Sequence, residues 1–289
     1  MSLPTLDQVC ARALALPCSP SLLPRLAEVL ANPAADIEDM ARLVALDPVL
    51  ASSTLRLANS AFFSGNAVET VGDAVMRLGA RELYRLAALS MTARWAAIDV
   101  DGYRWEAGDF CRASLVRAVA SETIAESTGK VDPGLAYTCG LVHEIGKLAV
   151  AFACSEHFAA IRRHQSERGC TWLEAETAVL GFNHANVSAR LLTEWKFPAA
   201  CIAVAKHNPP GPDMPDADRC MAAHVHAAHV LATAFGAGQG EDAFFFSLDE
   251  SLLVEWGLSP ALIEAQLPKV FDRVTRLLRD RVSVGEIKF

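Results

Sequence analysis

The chain has 289 residues, 52% of them hydrophobic and 21% charged, with a net charge of −8. That balance fits a globular protein with a large core. It disfavours nonspecific binding to nucleic acid, since no run of lysine and arginine offsets the acidic surplus. The eight cysteines include no CxxC pair and sit mostly in helical apolar patterns, which points to reduced thiols in the cytoplasm rather than a disulfide framework or a zinc ribbon.

Asp7 and Arg12 interrupt the first residues and argue against a signal peptide. No segment offers about 20 uncharged apolar residues, so no membrane span is expected. The apolar period is helical nearly throughout. Leu22, Leu23, Leu26, Val29 and Leu30 form one face. Asp36 can cap the next helix, whose buried stripe is Ile37, Met40, Ala41, Val44 and Ala45. Asp47-Pro48 ends it and starts another that runs to Asn59-Ser60. Residues 61–69 read as a loop. Thr70 caps a short helix to Leu78, stopped by Gly79, and a longer one follows from about 81 to 97. Asp99 to Gly102 is a linker. Helices are then expected at about 105–127, 134–153, 155–168, 172–180 and 184–195, with a capping box at Thr171 and Glu174. Pro198 opens a helix to His207, and Asn208-Pro-Pro-Gly-Pro212 breaks the chain. Helices return at about 217–235 and 260–281, separated by a loop at Gly236 to Asp242 and a short piece at Phe244 to Phe246. No sustained strand alternation and no internal repeat is present.

The most informative stretch is Gly140-Leu-Val-His143-Glu144-Ile-Gly146-Lys147. An imidazole and a carboxylate inside an apolar helix are costly to bury unless they bind something or are fully hydrogen-bonded. His184, in Gly-Phe-Asn-His-Ala, and His207, in Ala-Lys-His-Asn, join them as candidates. Each also has an ordinary structural role open to it. Glu144 can pair with Lys147 on its own helix, and His207 can satisfy the last carbonyls of its helix. No nucleophile elbow, phosphate-binding loop or dinucleotide fingerprint appears.

The order of these signals resembles the HDOD family, a regulatory relative of the HD phosphohydrolases. The resemblance is carried by Leu16-Pro17, Leu23-Pro24, Leu46-Asp47-Pro48-Val49-Leu50, Leu55-Arg56-Leu57-Ala58-Asn59-Ser60-Ala61-Phe62-Phe63, Val71-Gly72-Asp73-Ala74-Val75 and Leu78-Gly79. The His143-Glu144, Gly181-Phe-Asn-His184-Ala and Lys206-His207 segments complete it. It implies an all-α, two-lobed fold over 14–210, with an N-terminal helical lobe at 14–98 and an HD-like lobe at 104–210. Residues 211–289 are expected to complete the HD-like lobe.

The resemblance implies metal positions at His143, Glu144, His184 and His207, with His229 as an addition and Lys147 as a phosphate contact. The ions that suit such ligands are Fe, Mn, Mg or Zn. Several requirements are unmet. Ala113 stands where the family's first histidine falls, Glu144 replaces the aspartate, Asn208 replaces a second histidine, and His226-Ala-Ala-His229 lies where a late aspartate is expected. Asp109, one turn before Ala113, is a weak substitute. A pair of bridged metals is therefore not expected, and no catalytic residue is assigned.

The reading that follows is a noncatalytic, cytoplasmic, bacterial signalling module that binds another signalling protein or a nucleotide-type small ligand, without membrane or direct nucleic-acid contact. Arg56, Asn59 and Ser60 are a candidate signalling surface, although a helix end with local hydrogen bonds explains them too. Phe62, Phe63 and Phe244 to Phe246 read as core or interface. The alternative is a metal-dependent phosphohydrolase with a rebuilt mononuclear site, and a third reading is a cyclic-dinucleotide sensor that does not hydrolyse.

Overall fold

The structure, a computed structural model, describes residues 3–14, 22–31, 36–60, 63, 66–96, 102–106, 108–208, 210–211, 214–237, 240–242 and 250–284. Leu16-Pro17, Phe62, most of the 99–102 linker and Phe244 to Phe246 lie outside them. Among the described residues all regular structure is helical.

The capping residues act where the sequence places them. After α1 (Leu6–Leu14) and α2 (Leu22–Ala31), the Asp36 carboxylate accepts from the Glu38 amide and opens α3 (Ile37–Ala45). Asp47 accepts from the amides of Val49 and Leu50 and opens α4 (Pro48–Ala58), with proline in the first turn. Thr70 opens α5 (Val71–Leu78), Gly79 closes it, and α6 spans Ala80–Ala96. The buried stripe of α3 is Met40, Leu43 and Val44, while Ile37 at its first position is exposed.

The remaining helices are α7 (Asp109–Thr128), α8 (Pro133–Val142), α9 (Gly146–Ala153), a 3-10 turn at Ser155–His157, α10 (Phe158–Arg168), α11 (Trp172–Leu180), α12 (His184–Glu194), α13 (Ala199–Lys206), α14 (Asp216–Ala234), α15 (Glu250–Glu255), α16 (Pro260–Glu264) and α17 (Leu267–Val284). Three boundaries differ from expectation. Residues 105, 106 and 108 are not helical, because the Asp109 carboxylate accepts from the Glu106 amide and Gly108 takes a left-handed conformation. The helix expected at 134–153 is interrupted at His143 to Ile145. The helix expected at 260–281 is two helices with a turn at Ala265 and Gln266.

The described residues group into two compact units. One contains α2 to α6 and the end of α17. Its core includes Leu57, Ala58, Val68, Ala74 and Leu78. Asn59 clamps its loop: Nδ2 donates to the Val68 carbonyl and Oδ1 accepts from the Val68 amide, both at 2.8 Å.

The other unit contains α1, α7 to α16 and the first part of α17, to Val274. Here α1 packs on α9 and α12, so Val9, Cys10 and Ala13 share a core with Val150, Phe158, Ile161, Trp172 and Leu191. Helix α7 is buried along nearly its whole length between α8 and α14. Small residues at 113, 114, 118, 120 and 121 permit that close packing. By length and composition the stretch Pro133–Ala153 could cross a membrane, with an 18-residue window of mean hydropathy 1.2, but 89% of that window is buried inside the protein.

Candidate functional site

Two glycines set the position of the His-Glu pair. A Cβ at Gly140 would stand 2.8 Å from the Arg117 carbonyl, so α8 lies directly on the backbone of α7. A Cβ at Gly146 would collide with the His184 carbonyl and the Ser188 amide, and the Gly146 amide donates to Ser188 Oγ at 2.8 Å. The start of α9 is thereby seated on the start of α12. Between the two glycines the chain tightens. Ile145 bonds back to Val142 and Lys147 to Glu144, in place of the i to i−4 pattern. The side chains of His143, Glu144 and Lys147 emerge around this turn, all buried.

Glu144 is held by two cations. Its Oε2 lies 2.5 Å from Arg117 of α7, and its Oε1 lies 2.5 Å from Nζ of Lys147. Lys147 also donates to Oδ2 of Asp242 at 2.6 Å. Two carboxylates and two cations thus balance inside the fold. Burial opposes ionisation of Glu144, but Arg117 and Lys147 override it and hold the carboxyl well below its ordinary range. Burial also works against the Lys147 ammonium, and Asp242 and Glu144 more than offset that, raising its pKa.

The imidazoles beside this cluster are uncharged. Nδ1 of His143 faces two backbone carbonyls, Gly140 at 3.0 Å and Cys139 at 3.2 Å. A carbonyl can only accept, so Nδ1 carries the proton and Nε2 carries the lone pair. That Nε2 is buried without a hydrogen-bond partner among the described residues. Burial pushes the His143 pKa down to about 4; Glu144 pulls the other way, and Arg117 and Lys147 reinforce the fall. His229 of α14 lies with its ring centre 6.1 Å from that of His143 and its Nδ1 3.9 Å from Oε1 of Glu144. Burial, with Arg117, holds it well below its ordinary value.

His143, Glu144 and His229 form a group whose ligand atoms lie within 4.8 Å of one another, so by distance they could hold one metal ion. His184 and His207 lie outside that group. His184 opens α12, where its amide and its Nδ1 both meet Oε2 of Glu176, at 2.7 and 2.8 Å. Oε1 of the same Glu176 accepts from the Tyr103 hydroxyl at 2.5 Å. His207 caps the end of α13 and is half-buried. Asp109 pairs with Arg112 instead of replacing a ligand at position 113. Lys147 is neither a solvated helix-end lysine nor open to a phosphate, being enclosed between two carboxylates.

Among the described residues the group within ligand distance is His143, Glu144 and His229, and its carboxylate is already paired with Arg117 and Lys147. Arg117, Asp242, Glu176 and Tyr103 were not singled out from the sequence. Arg117 had a signal, a lone cation inside Leu115-Val-Arg-Ala-Val119. Asp242, in a Gly-Gln-Gly-Glu-Asp loop, had none.

In the other unit, Arg56 is exposed on α4, Asn59 is the loop clamp described above, and the Ser60 amide bonds to the Leu57 carbonyl.

Comparison with known proteins agrees with this architecture. An uncharacterized protein of Treponema pallidum (strain Nichols) is 28% identical over 201 residues, which is 68% of this chain and 38% of that protein. The chain thus spans well under half the length of that relative. An HDOD domain protein of unknown function from Geobacter sulfurreducens superposes with a TM-score of 0.60 at 21% identity, covering 92% of this chain and 97% of the other. A proposed signal transduction protein from Marinobacter aquaeolei VT8 gives 0.70 at 23% identity, over 96% and 61%. A proposed phosphohydrolase from Shewanella amazonensis SB2B gives 0.64 at 23%, over 95% and 94%. Likenesses at this identity establish the fold. The HDOD domain profile matches residues 16–210, well over half of the sequence, and the chain belongs to the HDOD domain family.

Proposed function

We propose that the protein is a noncatalytic signal-transduction module, cytoplasmic and bacterial, that acts by binding a partner protein or a small nucleotide-type ligand. The observation that carries this reading is the state of Glu144. Activating water for phosphodiester hydrolysis asks a site to hold ions through unspent carboxylates and open coordination positions. Here the carboxylate at the HD position is spent on Arg117 and Lys147, and Ala113 supplies nothing. The cluster is charge-balanced as it stands. Leu46, Val49 and Met76, all in the unit of α2 to α6, are large apolar side chains left exposed, which supports a protein partner there.

A second reading, a phosphohydrolase with one ion on His143, Glu144 and His229, is favoured by the bare Nε2 of His143. Against it stand the two cations already bound to the shared acid.

The test is an assay of purified protein with Mn, Fe, Mg and Zn against cyclic dinucleotides, nucleotides and general phosphodiesters. The expected result is no metal-dependent turnover. Turnover that disappears in His143→Ala would replace the first reading with the second.

A further inference from the structure

Two thiols outside the charged cluster meet where α8 packs on α13. Cys139 lies in the last turn of α8 and Cys201 in the first turn of α13, and both are fully buried. The Cys139 thiol donates to Sγ of Cys201 at 3.4 Å. A disulfide bond is about 2.05 Å long, so the gap to close is about 1.3 Å, shared between two side chains. Packing holds the helices that carry them. Gly140, beside Cys139, seats α8 on the Arg117 backbone of α7, and α13 packs on α12 and α14 as well as on α8.

We infer that Cys139 and Cys201 are an oxidative modification site, which hydrogen peroxide converts into a disulfide tying α8 to α13. The Cys139 sulfur attacks one peroxide oxygen, the O–O bond breaks, and a sulfenic acid and one water result. The Cys201 sulfur then attacks the Cys139 sulfur, and the hydroxyl leaves as a second water. Two thiols lose two electrons and two protons, and the peroxide takes up both. Peroxide is small and uncharged, so brief local openings of the core admit it. The hydrogen bond to Cys201, together with burial, holds the Cys139 thiol well above its ordinary range, which makes the attack slow. The bond therefore records prolonged exposure to oxidant rather than a passing one. Its Cys139 end also carries a carbonyl that faces Nδ1 of His143, so the bridge anchors the chain just ahead of the His143-Glu144 turn.

The test holds the folded full chain in hydrogen peroxide until the count of free thiols stops falling, then digests it without reductant for mass spectrometry. The expected product is one linked pair of peptides, bearing Cys139 and Cys201, lighter by two hydrogens than the separate peptides. The bond closes a loop of 62 positions that contains α9 to α12. Constraining that loop in the unfolded chain is expected to raise the thermal midpoint by about 5 °C. Dithiothreitol should reverse both changes.

Cys201→Ala treated in the same way should show neither the linked peptides nor the reversible gain in midpoint, and Cys139→Ala supplies the same control if that variant fails to fold. A final state in which both thiols remain free, or are oxidised separately to sulfinic acids, overturns the inference. So does Cys139 linked to another cysteine, or a dithiothreitol-reversible gain that persists in the variant. None of these results touches the functional reading, which falls only on metal-dependent turnover.

Discussion

Glutamate at position 144 reaches Arg117 with one oxygen and Lys147 with the other. Taking its charge away strands two buried cations. Glu144→Gln is therefore expected to cost about 3–5 kcal/mol, read as a lower denaturant midpoint with an unchanged slope. Acid should have a related effect. His143 titrates at about 4 in the fold against an ordinary 6.5, so the unfolded chain binds the extra proton first. Stability is then complete above pH 6.5 and falls as pH drops towards 4, by roughly 3 kcal/mol for this group. Glu144, held well below its ordinary 4.5, adds a further loss at lower pH with the same sign. Urea midpoints between pH 7 and 4 check this, and the upper part of the fall should shrink in His143→Gln. The pair itself was legible as a costly burial. Its partners were not: Arg117 lies 27 positions away and Asp242 almost a hundred, and side-chain spacing carries no information over such distances.

Helix ends were the most readable elements, because a cap is a local hydrogen bond made by residues within three or four positions. Asp36, Asp47, Thr70 and Thr171 each start the helix they were expected to start. The interruption at His143 to Ile145 was invisible, because tertiary approach imposes it on a sequence that is apolar and helical by period. That approach predicts the cost of a single methyl group. Gly146→Ala places Cβ against the His184 carbonyl and Ser188 amide, both backbone, and should lose about 3 kcal/mol or more. Gly140→Ala, which meets the Arg117 carbonyl and the movable Ser121 hydroxyl, should lose somewhat less. Thermal midpoints of the two variants decide the order. In the other unit, Asn59→Ala removes both bonds to Val68 and should cost about 1–2 kcal/mol. The readout is faster hydrogen exchange at the Val68 amide.

At the scale of the molecule, the all-α class was legible from periodicity alone, since no stretch alternates as a half-buried strand would. That residues 211–289 complete the HD-like lobe was expected only from the resemblance and not from periodicity, because long-range packing leaves no local mark. Helix α14 contributes His229 and lies against α7, α8 and α13, and Asp242 follows it. A chain ending at 210 would uncover one side of α7 and leave Lys147 with Glu144 alone. Such a fragment should lack a cooperative unfolding transition and bind a hydrophobic dye; a sharp transition equal to that of the full chain would contradict this.

The segment at 102–106 also meets the loop that bears Asp242. The Glu241 amide donates to the Tyr103 carbonyl, Arg162 bonds both the Gly102 carbonyl and Glu241, and Gly240 leaves no room for a side chain beneath the Trp105 indole. Trp105 in turn stacks on Tyr103 at 4.6 Å. The Trp105 indole thereby rests on Gly240, two positions before the anion that grips Lys147. Any event that loosens this grip, whether a bound effector or a partner, should brighten or redshift indole emission, so the inner workings can be watched in solution without a label.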